Sequence, residues 1–193
     1  KEMKRLEESY IIQCQNGQTI KADKLIVTTP HHSLPSMFSS YDFFKRMGEM
    51  TSNSVANVAL AYDAKDINNE LDGTGFVIAR NSDYRITACT WTHKKWQGTA
   101  LEGKALLRAY VGNPGDQAVV GLSDEEITNI ALHDIERSMG ITARPELSLV
   151  TRWEEAMPQY EIGHKARTLA IKRAAAEQLP GVYLAGSSFD GVG

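Results

Sequence analysis

Cysteine is scarce: Cys14 and Cys89 stand 75 positions apart in a chain of 193 residues, and neither belongs to a C-x-x-C pair. Two thiols at that spacing support neither a disulfide framework nor a cysteine-rich metal centre, and they make a reduced, cytoplasmic protein the default. No apolar run approaches the roughly 20 residues that a membrane-spanning helix needs. The opening Lys1-Glu2-Met3-Lys4-Arg5 has no apolar signal region behind it. Basic residues are not in excess, since 21 Lys and Arg against 24 Asp and Glu leave a formal net charge of −3. That balance argues against a nucleic-acid protein, which normally carries a basic face or stripe. There is no G-x-S-x-G elbow and no cysteine with an evident histidine partner, so covalent hydrolysis has no support.

What is present is apolar material for one sizeable core or two small ones, 42% of the chain. Residues 10–15, Asn16-Gly17 and residues 18–21 read as a β-hairpin with a type I′ turn. Residues 24–29, stopped by Pro30, read as a short strand buried on both faces, because polar and apolar residues do not alternate there. Residues 30–40 read as a connection and residues 41–50 as a helical piece. Four strands follow, at residues 54–62, 75–80, 85–92 and 104–111. Asp72-Gly73, Asn81-Ser82-Asp83 and Gly112-Asn113-Pro114-Gly115 separate them as turns. Ser123 with Glu126 spells a capping box, apolar residues recur at helical spacing from Ile127 to Met139, and Gly140 stands where a C′ glycine belongs. Residues 145–153 read as a strand, 164–179 as a helix closed by Pro180-Gly181, and 182–186 as a buried strand running into a glycine turn. The fold class is therefore α+β: an antiparallel or mixed sheet with helices on one side, accompanied by further strands at both ends.

Several motifs point to chemistry and fail on context. Gly98 to Ala105 nearly spells a phosphate-binding loop, but Ala105 replaces the magnesium-binding hydroxyl and a strand follows where a helix is needed. His31, His32, His93, His133 and His164 lack metal-ligand spacing and read as surface or loop residues, so no metal is expected. Trp91, Trp96 and Trp153 read as core or rim residues of the sheet, with an aromatic wall for a flat ligand as the alternative. Arg80, Arg85, Lys94, Lys95 and Arg108 lie on or between the middle strands, either as a solvated face or as partners for ligand carboxylates. Residues 181–186 and Gly191-Val192-Gly193 form a strand–glycine pattern whose bare backbone lets a ligand approach closely.

The run Lys24-Leu25-Ile26-Val27-Thr28-Thr29-Pro30 resembles a strand of the dinucleotide-binding sheet in monoamine-oxidase-like flavoproteins, and Ala185-Gly186 resembles their closing flavin motif. Narrower still, Arg152-Trp153, Ala156-Met157-Pro158-Gln159-Tyr160, Gly163-His164 and residues 181–193 resemble the porphyrinogen oxidases of haem synthesis, in particular the soluble Gram-positive type acting on coproporphyrinogen III. Residues 86–96 and 106–112 match that group as well. The resemblance implies an FAD-dependent oxidase that dehydrogenates coproporphyrinogen III or protoporphyrinogen IX, with dioxygen as acceptor. It implies flavin contacts from Gly186, Gly191, Val192 and Gly193, with Trp153 near the flavin on the substrate side. It names no catalytic acid or base. Arg85, Lys94 and Arg108 are the candidates for pairing with substrate propionates.

The family's G-x-G-x-x-G turn and acidic ribose partner are not found, since Gly73-Thr74-Gly75 continues Phe76-Val77-Ile78. The expectation is therefore a C-terminal portion of such an enzyme: residues 1–30 and 151–193 from an incomplete, Rossmann-like FAD-binding domain, and residues 31–150 as the substrate-binding domain. Its partners would be the porphyrinogen and an N-terminal FAD-binding half. By itself the chain is expected to be inactive and not to retain FAD, since most of the binding surface would be missing. Nucleic acid is not expected as a partner, and peripheral membrane contact stays open. An amine oxidase or desaturase of the same superfamily, and a non-catalytic tetrapyrrole- or partner-binding module, are the alternatives.

Overall fold

The structure is a computed structural model that describes residues 2–7, 9–67, 72–112 and 117–191. In chain order the strands are β1 (Glu2–Arg5), β2 (Tyr10–Gln13), β3 (Thr19–Ala22), β4 (Leu25–Val27), β5 (Ser52–Asp63), β6 (Gly75–Val77), β7 (Ile86–Trp91), β8 (Lys104–Val111), β9 (Leu147–Pro158) and β10 (Val182–Leu184). The α-helices are α1 (Leu34–Met37), α2 (Lys45–Gly48), α3 (Thr92–Lys95), α4 (Asp124–Met139), α5 (His164–Gln178) and α6 (Ser187–Asp190). The expected turn at residues 112–115 lies, beyond Gly112, outside the described residues, as do Val192 and Gly193.

The chain divides into two compact units, one formed by Lys1–Ser52 with Met157–Gly193, the other by Asn53–Ala156. The divisions thus fall near residues 52 and 156 rather than at 30 and 150. Hydrophobic packing is the reason. Leu34, Phe38, Phe44, Met47 and Met50 are buried in one cluster with Val27, Leu179, Val182, Leu184 and Phe189, so residues 31–52 share a core with β4, α5 and β10.

In the first unit β1, β2 and β3 form an antiparallel sheet, and β4 pairs with β10 in parallel, Ile26 opposite Tyr183. The hairpin is present, but its connection is not the expected type I′ turn. Cys14 N donates to Gln18 O at 2.8 Å and Gly17 N donates to Cys14 O at 3.1 Å, which leaves a three-residue loop with Gly17 (φ +82°) in the left-handed position. Asn16 keeps a negative φ and uses its side-chain Oδ1 to accept from Gln18 N. Strand β4 is also not buried on both faces: Val27 is buried, whereas Ile26 is 74% exposed beside Tyr183, 55% exposed. Helix α5 buries Thr168, Ile171 and Ala175 at helical spacing. Beyond its end Gly181 (φ +94°) returns the chain to β10, and a Cβ there would stand 3.1 Å from Asp23 O.

In the second unit the sheet order is β6-β7-β8-β5-β9. Eight residues of β5 pair antiparallel with β8, from Ala56 opposite Val111 to Asp63 opposite Lys104. Burial alternates along β8: Ala105, Leu107, Ala109 and Val111 enter the core, while Leu106, Arg108 and Tyr110 point the other way. Helix α4 packs on β7 and β8 through Ile127, Ala131 and Ile135. Its capping box and its left-handed Gly140 (φ +69°) are both formed. The buried Asp134 fastens it further, its Oδ2 accepting from Arg85 N at 2.7 Å and Ile86 N at 2.9 Å. The α+β reading stands: an antiparallel sheet backed by helix, with a separate parallel strand pair.

A glycine turn and a two-faced sheet

Because β4 and β10 are parallel, their carboxyl ends emerge on the same side, and ligands of open α/β sheets bind at such ends. Ala185 N donates to Val27 O at 3.1 Å and extends the pairing to the edge of the turn. There the backbone passes through Gly186 (φ +98°, ψ 179°) into α6 and leaves through Gly191 (φ +90°). A Cβ built at Gly186 meets nothing nearer than Thr28 O at 3.7 Å, and one at Gly191 meets nothing within 4 Å. The requirement for glycine is thus conformational, and the bare main chain leaves room for a flat group against it.

Residues of α6 are fastened from four directions. The Tyr160 hydroxyl donates to Ser187 O, Phe189 is buried in the core, and Lys172 Nζ binds the Asp190 carboxylate at 2.6 and 2.8 Å. The fourth fastening is His31, only 1% exposed, with Nε2 2.9 Å from Met50 O and Nδ1 3.3 Å from Ser188 Oγ. A carbonyl can only accept, so in the neutral ring Nε2 carries the hydrogen and the Ser188 hydroxyl donates to Nδ1. His31 is therefore not the surface or loop residue that its sequence context suggested. Burial overrides composition here because the residues that satisfy both ring nitrogens are distant in the chain.

The second unit, taken by itself, has a sheet face turned away from α4. Arg108 lies there with Ala59 of β5 and Thr90 of β7 as its cross-strand neighbours. Its guanidinium carbon is 5.5 Å from the ring centroids of both Trp96 and Tyr110. Its Nε is buried without an acceptor. On β9, Val150 packs into the core and the Arg152 guanidinium donates to Val120 O, Leu122 O and Asp124 beside the start of α4. Alternation then puts Leu149 and Trp153, 54% exposed, on the same side of the sheet as Arg108. Trp91, by contrast, is a core residue.

The other two candidate cations lie elsewhere. Arg85 is exposed at the start of β7, lining an open cavity of about 340 Å³ with Asp83, His133 and Arg137 on the α4 side. There Arg137 grips Asp83 at 2.9 and 3.0 Å and holds its carboxyl below the usual carboxylate range. Lys94 is exposed on α3 with Nζ 5.3 Å from the Trp91 ring. Thus, of the eight residues singled out for cofactor or substrate, Gly186 and Gly191 share one turn, Arg108 and Trp153 share one sheet face, and Arg85 and Lys94 join neither. His31, Ser188 and Tyr160 were missed as supports of the turn; Tyr160 and Ser188 lie in stretches that carried the resemblance, whereas nothing in the sequence pointed at His31. Among the described residues no group of three His, Cys, Asp or Glu side chains could hold a metal, and no helix is long and apolar enough to cross a membrane.

These features define an α+β protein with a strand–glycine–helix turn of the nucleotide-binding kind and an antiparallel sheet beside it in sequence. The sequence matches the flavin-containing amine oxidoreductases over residues 1–192, and the chain belongs to that family. It is 51% identical to the coproporphyrinogen III oxidase of Bacillus subtilis over 184 residues, 95% of this chain and 39% of that protein. With the coproporphyrinogen III oxidase of Staphylococcus aureus it shares 45% identity over 174 residues, 89% of this chain and 37% of that protein. The chain spans about two fifths of the length of these relatives. Among solved structures, a protein from Exiguobacterium sp. 255-15 assigned as a protoporphyrinogen oxidase superposes with TM-score 0.79 and 32% identity, covering 100% of this chain and 42% of that one. A putrescine oxidase matches with TM-score 0.69 and 15% identity, over 98% of this chain and 42% of that one, and so shares the fold.

Proposed function

We propose that this chain forms the flavin-turn and substrate-sheet portion of an FAD-dependent oxidase of haem biosynthesis, which dehydrogenates a porphyrinogen to the porphyrin with dioxygen as acceptor. The carrying observation is the pair of bare, positive-φ glycines at the carboxyl end of a parallel strand pair, in a chain about half identical to coproporphyrinogen III oxidases. That identity, against 15% for a putrescine oxidase, favours a porphyrinogen over an amine. Coproporphyrinogen III is accordingly the first substrate to test, and protoporphyrinogen IX the second. A cytoplasmic location belongs to the same proposal.

The turn fits a flavin, because Gly186 and Gly191 carry no side chain and a Cβ at either would meet nothing within 3.4 Å. These two glycines would hold the ring, with Val192 and Gly193 continuing the same segment. The group supplies hydride removal from the sp³ bridging carbons of the macrocycle, the electrons passing on to dioxygen to give hydrogen peroxide. The chain's own work is positioning: His31, Tyr160, Lys172 and Phe189 fix the turn, and the sheet face with Trp153 and Arg108 offers aromatic and cationic contacts to a flat, carboxylated substrate.

The adenine and pyrophosphate contacts would come from an N-terminal FAD-binding half, the relatives being longer than this chain. Co-expression of this chain with such a half should give a complex with flavin absorption and a rise in porphyrin fluorescence from coproporphyrinogen III under air. Gly186→Val in the same complex should lower its flavin content, since a β-branched residue is strained at this φ. A complex with neither flavin nor oxidation, or a Gly186→Val complex that keeps full flavin content, would refute the reading.

A further inference from the structure

We infer that Arg108, aided by Lys95, reads the rim carboxylates of the substrate and so sets the preference for a porphyrinogen with more propionates. This rests on the proposed function above and goes beyond it by assigning specificity to one side chain.

Arg108 differs in its partners from Arg137, Arg152 and Arg167. Arg137 is paired with Asp83, Arg152 with Asp124 and two carbonyls, and Arg167 with Glu161. The Arg108 guanidinium carbon stands 5.5 Å from the centroids of two aromatic rings, and among the described residues no carboxylate or carbonyl accepts from it. Leaving a buried guanidinium N–H without an acceptor is costly, and a ligand carboxylate would remove that cost. Trp96 is shared with a second cation, Lys95 Nζ standing 4.8 Å from its centroid, and Lys95 also has no carboxylate partner among the described residues. Ala59 and Thr90 flank Arg108 with short side chains, so the surface around it is low enough for a planar ligand. Two aromatic rings within cation–π distance restrict the guanidinium, and a pre-oriented fork recognises a carboxylate better than a free one.

Coproporphyrinogen III carries four propionates, whereas protoporphyrinogen IX carries two propionates and two vinyls. A cation cluster without an internal counter-charge favours the first. The test uses the flavin-loaded complex with the N-terminal half, carrying Arg108→Met, which keeps length and loses charge, or Arg108→Lys, which keeps charge and loses the fork. Arg108→Met should cut kcat/KM for coproporphyrinogen III about 10- to 100-fold, through KM, and that for protoporphyrinogen IX by much less, at unchanged flavin content. Arg108→Lys should fall between.

A binding measurement keeps the inference separate from the oxidase reading. Coproporphyrin III should bind the unsubstituted protein more tightly than its tetramethyl ester does, and Arg108→Met should abolish that difference. If the protein discriminates acid from ester through Arg108 but oxidises nothing, the oxidase reading falls and this inference survives. Equal losses for both porphyrinogens, no loss for either, or an acid–ester difference untouched by Arg108→Met would overturn it.

Discussion

Replacing Asp134 with alanine removes an acceptor that two amides share, one buried and one part-buried. The side chain is 2% exposed, and its Oδ2 lies 2.7 Å from Arg85 N and 2.9 Å from Ile86 N. Hydrogen bonds to a charged group contribute about 1.5–3 kcal/mol each. The Ile86 amide belongs to a fully buried residue and would be left unpaired, whereas the exposed Arg85 can turn to water. The expected loss is therefore about 2–4 kcal/mol, less than twice the single-bond value. For a chain of this length about 1 kcal/mol corresponds to roughly 2–4 °C in Tm, so Asp134→Ala should melt about 4–16 °C lower. Asp134→Asn keeps a carbonyl oxygen and should recover about half of the loss. Urea unfolding followed by far-UV circular dichroism would measure both variants. A destabilisation of Asp134→Ala below about 1 kcal/mol would refute the view that this carboxylate pins α4 to β7.

Two further outcomes follow from titratable groups outside the proposed site. Burial pushes the Cys89 thiol up to about 12, so a disulfide reagent should modify only the half-buried Cys14 in the folded chain and reach Cys89 after unfolding; rapid native modification of both would contradict the core assignment. The Glu126 carboxyl is held below its ordinary value by the Ser123 hydroxyl and backbone N–H. The capping box is thus fully present above the ordinary carboxylate pKa and is lost as pH falls through the folded value. In Ser123→Ala the titration of Glu126, followed by NMR, should move upward, and an unchanged curve would refute the assignment.

What the sequence disclosed and what it concealed divide along the range of the interactions. Helix α4 was legible because its determinants are local: Ser123, Glu126 and Gly140 act within three or four residues of themselves. Strand β8 was legible for the same reason, its boundaries being marked by turn residues on both sides. His31 was not, because its partner Ser188 is 157 positions away and its neighbours Pro30, His32 and Ser33 are those of a surface loop. The fate of the cations was concealed differently. Arg85 and Arg108 both fall within expected strands, but which side of a sheet a side chain takes depends on alternation within the strand and on a bulge between Ile86 and Ala88. Residues 31–52 were assigned to the sheet unit because sequence order alone places them before it; the large apolar side chains that tie them to β4 and β10 act across the fold.

The glycine turn joins these two scales. Gly186 and Gly191 leave the main chain of the turn bare because they carry no side chain, and for that reason they are also the residues least able to hold their own conformation. Local sequence supplies the freedom, and distant sequence must supply the restraint. Each of the four residues between them is held by a different agent: Ser187 by Tyr160, Ser188 by His31, Phe189 by the core and Asp190 by Lys172. One interaction would leave a short helix free to rotate about its own axis, whereas restraints arriving from several sides fix it in position and in rotation. A pre-formed surface avoids the ordering cost that a mobile loop would incur on binding. The residues that set the conformation of the turn therefore lie mostly outside it.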